Sequence, residues 1–143
     1  MNTKYLIDCG SRTGKEKSIL ALAKAFELVQ LGNLKNVTFV CPNIGHLPHN
    51  DLGEAIDSLG LANFTASRLK RHELVQIGNT TFDAIPSSKI SQIRNTDVII
   101  AECLSPRDMA EIDKLHGVKF VIFIPYHSGE YEPWKSNNNP DIV

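Results

Sequence analysis

Six consecutive residues, Gly10, Ser11, Arg12, Thr13, Gly14 and Lys15, stand between an apolar segment and a helical pattern, and together they have the makings of an anion site. The amides that open a helix have no partner within it, and the helix dipole favours negative charge at that end. Small residues let a ligand approach, Ser11 and Thr13 offer hydroxyls, and Arg12 and Lys15 offer charge. A phosphate is the group such a set would hold. The stretch is not a P-loop, because only Ser11, Arg12 and Thr13 separate the glycines and Glu16 follows Lys15 where a hydroxyl residue is required. It is not a dinucleotide fingerprint either, since Arg12 stands where a second glycine is needed. Thr13 and Glu16 have capping-box spacing, and capping alone would account for both.

Acids and thiols supply the remaining candidates. Asp8 and Glu102 each lie at or just past the end of an apolar run, so on adjacent strands they could act as an acid–base pair or hold magnesium; they are the catalytic candidates. Cys9, Cys41 and Cys103 also fall at the ends of apolar runs, and His127 follows the last. Thiols and an imidazole at one sheet edge could bind metal or form a nucleophile with its base, whereas cysteine is equally an ordinary small buried side chain. Of this group, Cys41 and His127 join the six loop residues as ligand-contacting candidates. His46, His49 and Asp51 read as a loop ending in a helix cap, with Pro48 between the histidines, so no metal site is assigned. Arg68, Lys70, Arg71 and His72 lack the interleaved aromatic residues that stack on bases and read as a solvated face.

Positioning these residues requires an alternating fold. Apolar runs of strand length alternate with helix-period segments, the pattern that builds parallel sheets through crossover helices. The expected elements are a strand over 4–9 and a helix from Gly14 to Gly32 facing inward with Ile19, Leu22, Ala23, Phe26 and Val29. A strand over 36–41, a helix capped by Asp51, and a weaker strand over 62–66 follow. The stretch 74–85 reads as two short strands around Gly78-Asn79, which suits a type II′ turn, and is either an edge hairpin or a βα unit with a bent loop. A short helix after Pro86 leads to a central strand over 96–103, then a helix capped by Ser105 with Pro106 at its first position, and a final strand over 118–124. The fold class is therefore a three-layer, Rossmann-like α/β domain with a mostly parallel sheet of about five strands plus a short hairpin. One domain is expected over 1–127, followed by a polar, partly mobile tail over 128–143 in which Trp134 is the exception. Ligands in such sheets bind beyond the carboxyl ends of the strands.

Composition narrows the partners. The chain has 143 residues, 42% hydrophobic and 22% charged, as an ordinary globular domain does. A formal net charge of -1 gives no broad positive field for nucleic acid or anionic lipid, so neither nucleic acid nor membrane is expected as a partner. The odd count of three cysteines suits reduced thiols, and the first residues carry no secretory pattern, so the expected location is the cytoplasm. The functional expectation is binding, with hydrolysis or transfer as the chemistry, of a phosphorylated or nucleotide-like small molecule at the loop between the first strand and helix. No cofactor is named by the sequence. The alternative is a non-catalytic interaction or regulatory domain, self-associating through the Trp134 tail or a sheet edge.

Overall fold

The described residues form one seven-stranded sheet in the order β3-β4-β2-β5-β6-β1-β7. Its strands are β1 (Thr3–Leu6), β2 (Asn36–Cys41), β3 (Val75–Ile77), β4 (Thr80–Pro86), β5 (Val98–Glu102), β6 (Phe120–Ile124) and β7 (Asp141–Ile142). The structure is a computed structural model; it describes residues 2–143, and all of their side chains except those of Ser128 and Glu130. Every pairing is parallel except that of β3 with β4. The three-layer, mostly parallel α/β architecture expected from the alternation is present, with seven strands, hairpin included, against the expected five or so plus a short hairpin.

Burial on both faces explains the centre of the sheet. All five residues of β5 are buried, and its neighbours β2 and β6 are almost as apolar, so helices must cover both sides. On one face lie α1 (Gly14–Gly32), α2 (Asp51–Ser58) and α3 (Ala66–Lys70), packed on Val37, Phe39, Cys41, Ile100 and Ile122. On the other lie α4 (Pro106–Asp113) and α5 (Ser128–Asn138), whose Met109, Ile112, Tyr131 and Trp134 meet Val40, Ile99, Val121 and Phe123.

Local signals set the element ends. Thr13 Oγ1 accepts from Glu16 N and Glu16 Oε1 accepts from Thr13 N, both at 3.1 Å, which is the capping box expected at the start of α1. Ser105 caps α4 with Pro106 behind it. The hairpin turns with Gly78 at φ 60°, as a type II′ turn requires.

Other elements depart from the sequence reading. The inward stripe of α1 is rotated: Ala21, Leu22, Ala25 and Leu28 are buried, whereas Ile19 is 40% exposed. This helix is apolar on several sides, so its sequence alone does not single out the inner stripe, which includes Ala21 and Ala25. The cap of α2 is Asn50, one residue earlier than expected, its Oδ1 accepting from Gly53 N at 2.8 Å. No strand forms over 62–66; instead Phe64 enters an aromatic cluster with Phe26, Phe39 and Phe82, and Thr65 caps α3. Residues 128–143 form α5 and β7. Tyr131 and Trp134, one turn apart, give an otherwise polar helix its buried stripe, and the Trp134 ring stands edge-on to Phe123 at 5.2 Å. The strand β7 then pairs with β1, Val143 N donating to Leu6 O.

Gly53 is where α2 meets the 3₁₀ helix Ile44–His49: a Cβ added there would lie 1.6 Å from Leu47 O. That obstacle is backbone and cannot rotate away. Gly53→Ala is expected to cost about 1–3 kcal/mol in chemical denaturation, and an unchanged midpoint would contradict this packing.

Candidate functional site

Chain direction opens a cleft at the carboxyl edge of the sheet. The segments leaving β1 and β2 lead to helices on one face, and those leaving β5 and β6 lead to helices on the other. Such divergence is where open α/β sheets bind ligands. The cleft here has a volume of about 510 Å³, and its lining includes Arg12, Lys17, Asn50, Asp51, Glu102 and Cys103.

Glu102 ends β5 opposite Ile124 of β6 and is only 7% exposed. Burial, and then the nearby Asp51 carboxylate, push its carboxyl up to about 7. Asn50 Nδ2 donates to Glu102 Oε1 at 3.4 Å, and because Asn50 Oδ1 is taken by the α2 cap, the orientation of this amide is fixed. Asp51 is exposed, stands in the first turn of α2, and packs against the start of α1: a Cβ on Gly14 would fall 1.9 Å from Asp51 Oδ2. With a Cβ at 14 the Asp51 carboxylate would have to turn away. The Asp51 carboxylate thus lies at the positive ends of two helices, where negative charge is favoured.

Lys17 is the buried cation of the site, also 7% exposed. Its Nζ donates to Pro125 O at 2.9 Å and Tyr126 O at 3.1 Å, and lies 3.9 Å from Cys9 Sγ. These bonds hold the first turn of α1 to the segment leaving β6.

The residues singled out in the sequence divide. Glu102, Arg12 and Gly14 line the cleft. Gly10, Ser11, Thr13 and Lys15 are exposed outside its lining, Gly10 with φ 43° and Thr13 engaged in the capping box. Asp8 is separated from Glu102 because β6 lies between β1 and β5, placing the two strand ends roughly 10 Å apart. Cys41 is buried in the core beneath the cleft, its thiol pushed well up by burial, then by Glu102 and Cys103. His127 is exposed at the start of α5 with its ring against Tyr126. Among the described residues, no group of three His, Cys, Asp or Glu side chains could hold a metal ion. The basic run at 68–72 is partly neutralised by Glu73, which pairs with Arg68 at 3.1 Å and Arg71 at 2.7 Å.

Sequence reasoning did not find Lys17, Asn50 or Ser18, the last of which also lines the cleft, and it took Asp51 for a cap. A signal existed for two of them: Lys17 and Ser18 lie four residues before Ala21 and Leu22, on the stripe that α1 buries.

No protein-family model matches the chain, and no curated protein matches it. Among solved structures, the chain is similar to the N-terminal domain of the DNA packaging ATPase from bacteriophage phi29, at 14% identity over 96% of this chain and 79% of that one, with a TM-score of 0.49.

Two predictions concern the ionisable groups. Glu102 titrates near 7 in the fold against an ordinary 4.5, so below pH 4.5 both folded and unfolded chains hold its proton and no stability is lost. Between these values the unfolded chain ionises first, and above pH 7 the full destabilisation of about 3 kcal/mol applies. Glu102→Gln is expected to melt higher than the parent at pH 8, with the difference shrinking towards zero by pH 4; a pH-independent difference would refute this environment. Cys41 is expected to react with iodoacetamide only as the protein unfolds, so peptide mapping that finds it labelled as fast as the half-buried Cys9 and Cys103 would contradict its placement.

Proposed function

We propose that the chain binds a phosphorylated, nucleotide-like small molecule in this cleft, with Arg12 meeting the anionic part and Glu102 exchanging a proton with the bound molecule. The observation that carries the reading is Glu102 itself: a buried carboxyl, oriented by Asn50 into a ligand-sized cleft and poised to gain or lose a proton near neutral pH. Arg12 is the exposed cation of the cleft lining. Its guanidinium is braced by Asp8 O at 2.9 Å and Val143 O at 3.1 Å, which leaves further N–H groups for a ligand. Asp51 already stands at the start of α1, so the anion is assigned to Arg12 and not to that helix end. Asp51 takes the companion role that Asp8 was expected to fill. A second reading, a non-catalytic interaction domain, draws on the way Ser11, Thr13 and Lys15 face solvent instead of the cleft.

A panel of nucleotides and sugar phosphates tested by thermal shift separates the two. A ligand present at a hundred times its Kd stabilises by about 2.7 kcal/mol, a rise of roughly 10 °C for a domain of this size. Arg12→Ala is expected to abolish the shift. Affinity is expected to weaken as pH rises through about 7, because ionised Glu102 adds a negative charge to the cleft that holds the anion. A panel that never raises the melting temperature would favour the interaction domain.

A further inference from the structure

The two acids of the cleft differ in a way that suits acid–base chemistry. Asp51 is exposed at two helix starts, where a negative charge is favoured, while Glu102 is buried and holds its proton to about pH 7. One carboxylate and one carboxylic acid facing the same cavity is a pairing that glycosidases use to cleave bonds whose transition state develops positive charge on the sugar carbon. The surrounding charges agree. Toward Glu102 face Asp51 from α2 and the Cys41 thiol from β2, and Cys103 lines the same cleft. The buried ammonium of Lys17 is turned to the carbonyls of Pro125 and Tyr126. The Asp51 carboxylate therefore favours a developing cation in the cleft, while Arg12 of the same lining serves an anionic group.

We propose that the cleft hydrolyses the N-glycosidic bond of a nucleoside 5′-phosphate, with Glu102 protonating the departing base and Asp51 accepting a proton from the attacking water. This rests on the nucleotide-binding reading above. The orientation of Asn50 assigns the atoms: its Nδ2 donates to Oε1, so the acidic hydrogen sits on Oε2. The bond from C1′ to the base nitrogen breaks and its electron pair leaves with the base, which takes the proton from Oε2. Water oxygen bonds to C1′ and its proton passes to Asp51, from which solvent returns it to Glu102. Water and the nucleotide become free base and sugar 5-phosphate, with no oxidant or reductant required.

The test incubates the full chain with the ribo- and deoxyribonucleoside 5′-monophosphates and measures free base chromatographically, with thermal shift in parallel. Base is expected from at least one nucleotide, with kcat/KM falling about tenfold per pH unit above roughly 7 as Glu102 ionises. Glu102→Gln and Asp51→Asn are each expected to lower kcat by about 10²–10⁴-fold while the nucleotide still shifts their melting. Arg12→Ala is expected to raise KM for the nucleotide and leave that for the bare nucleoside unchanged. A nucleotide that binds but is not cleaved, inorganic phosphate released in place of base, or base release indifferent to Glu102→Gln and to pH would each overturn the glycosidic reaction while leaving nucleotide binding intact. A panel that neither binds nor reacts would overturn both.

Discussion

Burial of β5 and β6 on both faces is the constraint from which the rest follows. Strands made almost wholly of Val, Ile, Ala and Phe expose nothing they could leave in water, so each face needs its own helices. Right-handed crossovers can meet that demand only by sending some connections to one face and some to the other. The connections must part company at the carboxyl edge, and the gap between them is the cleft. Glu102 is the last residue of the most deeply buried strand, so the packing that makes the gap also keeps most water from its carboxyl.

Long-range polar contacts then fix what surrounds Glu102. Lys17 joins the first turn of α1 to residues more than a hundred positions later, at the exit of β6. Two carbonyl acceptors compensate its burial, while burial and the Asp51 carboxylate set the proton affinity of Glu102. Gly14 lets Asp51 close against the start of α1, and Asn50 both caps α2 and orients Glu102. The electrostatic character of the site is therefore set by packing among α1, α2 and the sheet.

What was legible in the sequence was local. Capping at Thr13 and Ser105, the glycine turn at Gly78 and the apolar run of β5 each depend on residues within a few positions of one another, and each formed as expected. Strand order depends on no such neighbourhood. Asp8 and Glu102 follow equally apolar runs, and only the insertion of β6 between their strands separates them. Asp51 could be read as a cap because it sits where caps sit, and its approach to Gly14 joins two helices far apart in the chain. Lys17 was hidden by its type, since a lysine on a helix ordinarily faces water. The tail concealed α5 because Tyr131 and Trp134 supply nearly all of its apolar surface.

The carboxyl at position 102 is not required by the fold. An amide there would keep the hydrogen bond from Asn50 and fill the same volume, without the loss of stability that accompanies an acid whose proton is held to about pH 7. Nor does a partner explain it, because the charged group that acts on Glu102 is another acid, Asp51, and repulsion is the opposite of what a structural ion pair supplies. A side chain that weakens the fold at neutral pH, is oriented by a neighbour with no freedom to turn, and faces a cavity large enough for a small molecule has the properties that the proposed proton transfer requires. The same reasoning ranks the other candidates: Cys41 is buried as core packing demands, and Lys15 is solvated as a helix-surface lysine should be, so neither calls for a function to explain it.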